Sequence, residues 1–204
     1  MAAKPPRERY HHGELRRALI DAALELISTG GPEGFTLREA ARRLGVNHRA
    51  AYRHFADKDT LLAAVAEQGF FELLGAAREA LGDEPSPAAA RLYAIARAYV
   101  RFAHSRPAHF RVMFGPRLNA SGRFPALEVP VAQAFDLLKR ELSAGADAGA
   151  FRIDSPRDAA LSFWSAMHGL ASLIVHGRIP VRRERLGAYV DQLMAPTVRG
   201  LSAR

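Results

Sequence analysis

The chain has 204 residues, 49% of them hydrophobic and 25% charged, with a formal net charge of +8 and a pI near 10.5. These values describe a folded globular protein of one or two domains, long enough to bury a core without staples. There is no cysteine, which excludes disulfide scaffolds, thiolate metal sites and cysteine nucleophiles.

The opening "MAAKPPRERYHHGELRR" has no apolar segment of the secretory kind, and no apolar run approaches bilayer-spanning length. The expectation is a cytoplasmic protein without a membrane partner. The positive charge fits a polyanionic partner. It does not locate one: residues 1–60 carry eleven Lys/Arg against eight Asp/Glu, a net +3, and the other +5 lies beyond them. A basic surface kept for solubility explains the excess nearly as well.

Helical spacing dominates the whole sequence, and no alternating strand pattern of any length occurs. Residues 1–12 read as a basic arm with Lys4, Arg7, Arg9, His11 and His12. Such an arm can enter a minor groove, although a solvated end is the favoured reading. Residues 13–29 place Leu15, Leu19, Ala22, Ala23, Leu26 and Ile27 on one stripe, and "GGPEGF" ends that helix. Thr36 caps a short helix ending at Gly45, and Asn47 caps the next, which runs to about Phe55. A long helix starts at about Asp57, with Leu61, Leu62, Val65, Phe70, Leu73 and Leu74 apolar.

After the break "GDEPSP", the spacing of Leu92, Ile95, Ala96, Tyr99, Val100 and Phe102 describes a buried helix. Pro107 opens a short helix through Phe114, and "GPRLNASGRFP" is the longest irregular stretch. Helical spacing resumes from about Leu127 to Leu142, and "SAGADAGAFRIDSP" reads as another break. Ser155-Pro156 starts a helix, and a final one begins near Arg182. The expectation is an all-α protein of about nine helices: an arm (1–12), a three-helix helix-turn-helix domain (13–58), and a C-terminal helical domain (59–204).

The stretch "LGVNHRAAYRHFADKDTLL" carries the functional signal. Small Ala40 and Ala41, a glycine turn, and apolar Leu44, Val46, Ala51 and Phe55 are what a helix-turn-helix requires. On the opposite side, His48, Arg49, Tyr52 and Arg53 share one helix face, with Ala50 leaving room for close approach. Such a helix fits a major groove, where Arg can bond guanine with both prongs. Tyr52 and His54 have donors suited to phosphate oxygens. Thr36 and Lys58 stand at helix starts, where free N–H groups favour anions. Charged residues at helical spacing are often only a solvated face; the turn, the caps and the flanking lysine favour DNA.

"FTLREAARRLGVNHRAAYRHFADKDTLL" resembles the N-terminal signature of the tetracycline-repressor (TetR) family of bacterial transcription regulators, over roughly residues 14–65. Thr36, Gly45, Val46, Tyr52, His54, Phe55, Lys58 and Leu61-Leu62 stand at the expected spacing. In two departures, Asn47 replaces the usual Ser or Thr and Ala51 replaces a larger apolar residue. The resemblance implies a homodimeric repressor. Its N-terminal domain would bind double-stranded operator DNA, and its C-terminal domain would dimerise and bind a small, apolar effector. Thr36, Tyr52, His54 and Lys58 would contact phosphates. His48, Arg49, Ala50 and Arg53 would lie nearest the bases, with Arg38 within reach and Asn47 capping the reading helix.

In the C-terminal part, Trp164, His168 and Ala171 share a helix face, and the W-x3-HG pattern resembles one TetR subgroup. Trp164 and His168 line an effector cavity in one reading and are plain core in the other. Tyr99, Phe102, Met113, Phe114 and Phe135 belong to the same alternative. Dimerisation through the last two helices, about 156–177 and 182–202, is implied by the resemblance. Leu161, Leu173, Ile174, Leu186, Val190, Leu193 and Val198 fit that interface and an intrachain core equally well.

Nothing points to catalysis, a metal or a cofactor. His168 and His176 are eight apart, and His104 and His109 five apart, neither of which is the spacing of a helical zinc pair. The one Glu-x-x-His, Glu8 to His11, lies in the arm, and no G-x-S-x-G, P-loop or dinucleotide glycine motif occurs. A helical small-molecule-binding module that does not act on DNA is the next reading, and a small helical enzyme the last.

Overall fold

The computed structural model describes residues 12–118 and 122–202, with His12 described by its backbone alone. Of the arm's basic residues, Lys4, Arg7, Arg9 and His11 lie outside the described residues. Nine α-helices and no strand occur among those described: α1 (His12–Gly30), α2 (Leu37–Arg43), α3 (His48–His54), α4 (Lys58–Leu81), α5 (Ala88–Ser105), α6 (Pro107–Met113), α7 (Pro125–Asp147), α8 (Pro156–Val175) and α9 (Leu186–Leu201). Short 3-10 turns at Pro116–Leu118 and Arg183–Arg185 precede α7 and α9.

The chain divides into two compact units. The first joins the described chain up to Gly69 to Ala108–Leu127. The second holds Phe70–Pro107 and the chain from Glu128 onward.

The first unit is built on close helix crossings. Ala40, Ala41 and Ala51 are fully buried, and Leu19, Ile27, Phe55, Leu61 and Val65 pack with almost no exposure. Alanine at these positions keeps the side-chain layer thin, so α1, α2 and α3 approach closely. The turn after α2 is a Schellman motif. Gly45 is left-handed (φ +67°), its N–H donates to Arg42 O at 3.0 Å, and the Val46 N–H donates to Ala41 O at 3.1 Å. Gly69 lets α6 close on α4, since a Cβ there would come within 2.5 Å of Met113 Sδ and 3.3 Å of His109 Cβ.

In the second unit α5 is the central rod and packs on both α8 and α9. Leu92, Ala96, Val100 and Ala103 are fully buried along it. Arg91 ties α5 to α7 through both oxygens of Glu141 (2.6 and 3.0 Å), and Arg97 ties it to α9 through Asp191 (2.9 and 3.0 Å). The α8 start fits the Ser155-Pro156 signal, for Ser155 Oγ accepts from Asp158 N at 3.3 Å.

Two local expectations need correction. Helix α7 begins at Pro125 and runs through 143–147, which read as a break. Ala144 and Ala146 are strong helix formers, and at Gly145 a Cβ would run into the Phe151 ring. The stop is Gly149 (φ +71°), again in a Schellman turn with Ala150 N donating to Gly145 O at 2.8 Å. Second, α4 and α8 do reach the length and mean hydropathy (1.2 each) of a bilayer-crossing helix. Core helices meet the same criteria; 61% of the α4 window is buried within the protein, against 33% of the α8 window.

Candidate nucleic-acid interface

Local capping orients the reading helix. Thr36 Oγ1 accepts from Glu39 N at 3.1 Å to start α2, and Asn47 Oδ1 accepts from Arg49 N at 2.9 Å to start α3. Both are exposed N-caps that satisfy helix-end donors. Asn47 performs the capping that Ser or Thr would, so that departure leaves the local geometry intact.

Helix α3 then sorts its side chains. Ala51 is its one buried residue, while His48, Arg49, Tyr52 and Arg53 are all exposed. Tyr52 is 43% exposed and meets the His48 ring edge-on, with centroids 6.5 Å apart. Ala50 and His54 are half-buried, and Arg38 is exposed on α2. His48, Arg49, Tyr52 and Arg53 are thus left open to solvent on α3, with Ala51 turned to the core.

Lys58, at the start of α4, is more constrained than its sequence position implied. Its Nζ donates to the Glu33 carbonyl at 3.1 Å and lies 4.8 Å from the Phe35 ring centroid. Burial lowers its pKa, with Glu33 and Asp59 opposing that shift and Arg117 adding to it. A lysine so held presents its charge at a defined place.

Beside it sits an ion cluster that no sequence motif revealed. Arg117 binds both oxygens of Glu33 (2.7 Å) and one of Asp59 (2.8 Å), and Arg123 binds the other Asp59 oxygen at 2.7 Å. The hydrogen bond from Arg117 holds the Glu33 carboxyl below its usual range. Burial alone would raise Asp59, but the bonds from Arg117 and Arg123 override it and hold that carboxyl low as well. Both arginines come from the irregular "GPRLNASGRFP" stretch, where a sequence reading sees only a loop.

The residues expected to line an effector cavity fall in both units. Tyr99, Phe102, Phe135, Trp164 and His168 are in the second, Met113 and Phe114 in the first. Three of them come together: Trp164 Nε1 donates to the Tyr99 hydroxyl at 3.3 Å, which is 2.8 Å from His168 Nδ1. Burial raises the Tyr99 pKa and lowers that of His168. Met113 packs on Gly69, and the Phe114 ring meets that of Phe110 at a tilt of 53°, with centroids 4.9 Å apart.

The apolar residues of the last two helices also divide. Ile174, Leu186, Val190 and Val198 are buried and Leu161 is half-buried. Leu173 (46%) and Leu193 (41%) are exposed.

Known proteins match in both halves. Residues 19–65 match the bacterial regulatory proteins of the tetR family. The tetracycline repressor protein class C of Escherichia coli is 52% identical over 52 residues, which is 26% of this chain and 24% of that repressor. The chain thus aligns with about a quarter of the length of that relative. A solved protein of unknown function from Rhodococcus sp. RHA1 is 32% identical with a TM-score of 0.82, over 96% of this chain and 100% of that one. A tetR-family bacterial regulatory protein from Rhodococcus RHA1 is 24% identical with a TM-score of 0.75, over 93% and 97%, and shares the fold. Residues 92–196 match the tetracyclin repressor-like C-terminal domain. That second match spans just over half of the sequence and lies wholly outside the helix-turn-helix, so the kinship extends beyond one DNA-binding motif, and the chain belongs to the TetR family of bacterial regulatory proteins.

Proposed function

We propose that the protein is a ligand-responsive transcriptional repressor, cytoplasmic and homodimeric, which binds a near-palindromic operator and is released by a small apolar molecule. The observation that carries this reading is the sorting of α3. Ala51 is buried behind the helix, while His48, Arg49, Tyr52 and Arg53 are exposed in front. Arg49 and Arg53, with His48, Ala50 and Arg38, read base edges. Tyr52, His54, Lys58 and the Thr36 start of α2 contact phosphates.

Leu173 and Leu193 support α8 and α9 as the dimer face, for large exposed apolar side chains on neighbouring helices favour association. A two-fold dimer would set two reading helices about one duplex turn apart, roughly 34 Å. Trp164 and His168 of the W-x3-HG pattern, hydrogen-bonded to Tyr99 of α5, supply polar groups for orienting an otherwise apolar effector. The effector releases DNA only if it prefers the arrangement that does not fit the operator.

Binding to the DNA upstream of its own gene, measured against random duplex at moderate salt, tests the reading. The expected result is a clear preference and an affinity that falls steeply with salt. Equal binding to both duplexes overturns it and favours a small-molecule-binding module instead.

A further inference from the structure

We propose that Arg16 of α1 is a further phosphate contact, so that the DNA-binding surface extends from α3 onto the first helix. This inference rests on the DNA-binding reading above. The Arg16 guanidinium carbon lies 5.4 Å from the centroid of the Phe55 ring, and Phe55 is the C-cap of α3. Phe55 is 1% exposed, and Arg16, an exposed residue, lays its guanidinium over the ring. The cation–π contact fixes a flexible side chain at the end of the reading helix, directly after Tyr52, Arg53 and His54.

Four arginines of this unit hold carboxylate partners. Arg42 pairs with Glu39, Arg43 with Glu25, Arg117 with Glu33 and Asp59, and Arg123 with Asp59. Arg16 has no carboxylate within ion-pair distance among the described residues, as is also true of Arg17, Arg38, Arg49, Arg53 and Arg111, but of these six it is the one held over an aromatic ring. A guanidinium held at the end of α3 and left uncompensated is suited to a phosphate oxygen.

Two measurements test the assignment. Arg16→Met keeps an apolar stem over Phe55 and removes the charge. One lost phosphate contact lowers the slope of log affinity against log salt by about 0.9, or roughly five-fold in affinity at 0.15 M salt. Operator and random duplex should weaken alike. A folded Arg16→Met protein with an unchanged slope overturns the proposal and leaves Arg16 as a cover for Phe55.

The second measurement uses the native protein. Phenylglyoxal modification of arginines is mapped by mass spectrometry with and without operator duplex, with exposed Arg157 as the reactive reference. Arg16 should be protected together with Arg49 and Arg53. Protection of Arg49 and Arg53 with Arg16 still reactive overturns this inference and leaves the DNA-binding reading standing. Reactivity of all three overturns the DNA-binding reading itself.

Discussion

Arg117 grips both carboxylate oxygens of Glu33, a residue 84 positions earlier in the chain, at 2.7 and 3.0 Å. Through its one bond to Asp59 as well, this arginine connects the loop after α6, the loop before α2 and the first turn of α4. The contact lies next to Lys58, whose own hydrogen bond goes to the Glu33 carbonyl. The position of a proposed phosphate contact thus depends on a loop far away in sequence.

Arg117→Ala should lower the thermal unfolding temperature near neutral pH, and the effect should vanish in acid. Glu33 and Asp59 have carboxyls held below their usual values in the folded protein. Their contribution is complete above the ordinary carboxylate range and is lost as pH falls through the lowered values. The gap between wild type and Arg117→Ala should therefore close progressively below about pH 4. Melting curves that stay parallel through that range would show the cluster to be energetically silent.

Gly45→Ala should destabilise the first unit by about 1–2 kcal/mol, the cost of a Cβ in the left-handed conformation. Space is not the obstacle, because nothing lies within 4 Å of the added carbon. Gly30→Ala at the end of α1, which also meets open space and is not left-handed, is the control that should cost nothing. Chemical denaturation of the two variants gives the comparison.

Arg49→Ala should change which sequences are preferred, costing about 1–3 kcal/mol at the base it reads. Tyr52→Phe combined with Lys58→Ala should instead weaken every sequence alike and reduce the salt slope by about one. Binding to a randomised operator library at two salt concentrations separates these outcomes. An unchanged preference for Arg49→Ala would remove that residue from the base-reading set.

Leu173→Glu with Leu193→Glu should convert a dimer to a monomer in light scattering, with loss of operator affinity. Each leucine buried in an interface is worth about 1.5–3 kcal/mol, and both are exposed in the single chain. Val190→Ala is the contrast: this fully buried residue should affect stability before association. A double variant that stays dimeric would place the interface elsewhere.

The helix-turn-helix was legible in the sequence because every force that shapes it acts over a few residues. Thr36 and Asn47 cap helices whose first turns follow at once, Gly45 permits the left-handed turn, and 3.6-residue spacing places Ala51 opposite Arg49 and Arg53. The all-α class followed from the same periodicity. Only the tertiary structure decided the rest. Phe151 packing on Gly145 explains a helix through residues that read as a break. Burial of Val190 beside exposure of Leu193 depends on where α5 lies, which periodicity within α9 cannot express. The joining of residues 108–127 to the first unit likewise depends on charges that meet across 58 and 84 residues of chain, and on a glycine at 69 that admits Met113. Such contacts form only once the chain has folded back on itself, so no local pattern of residues announces them.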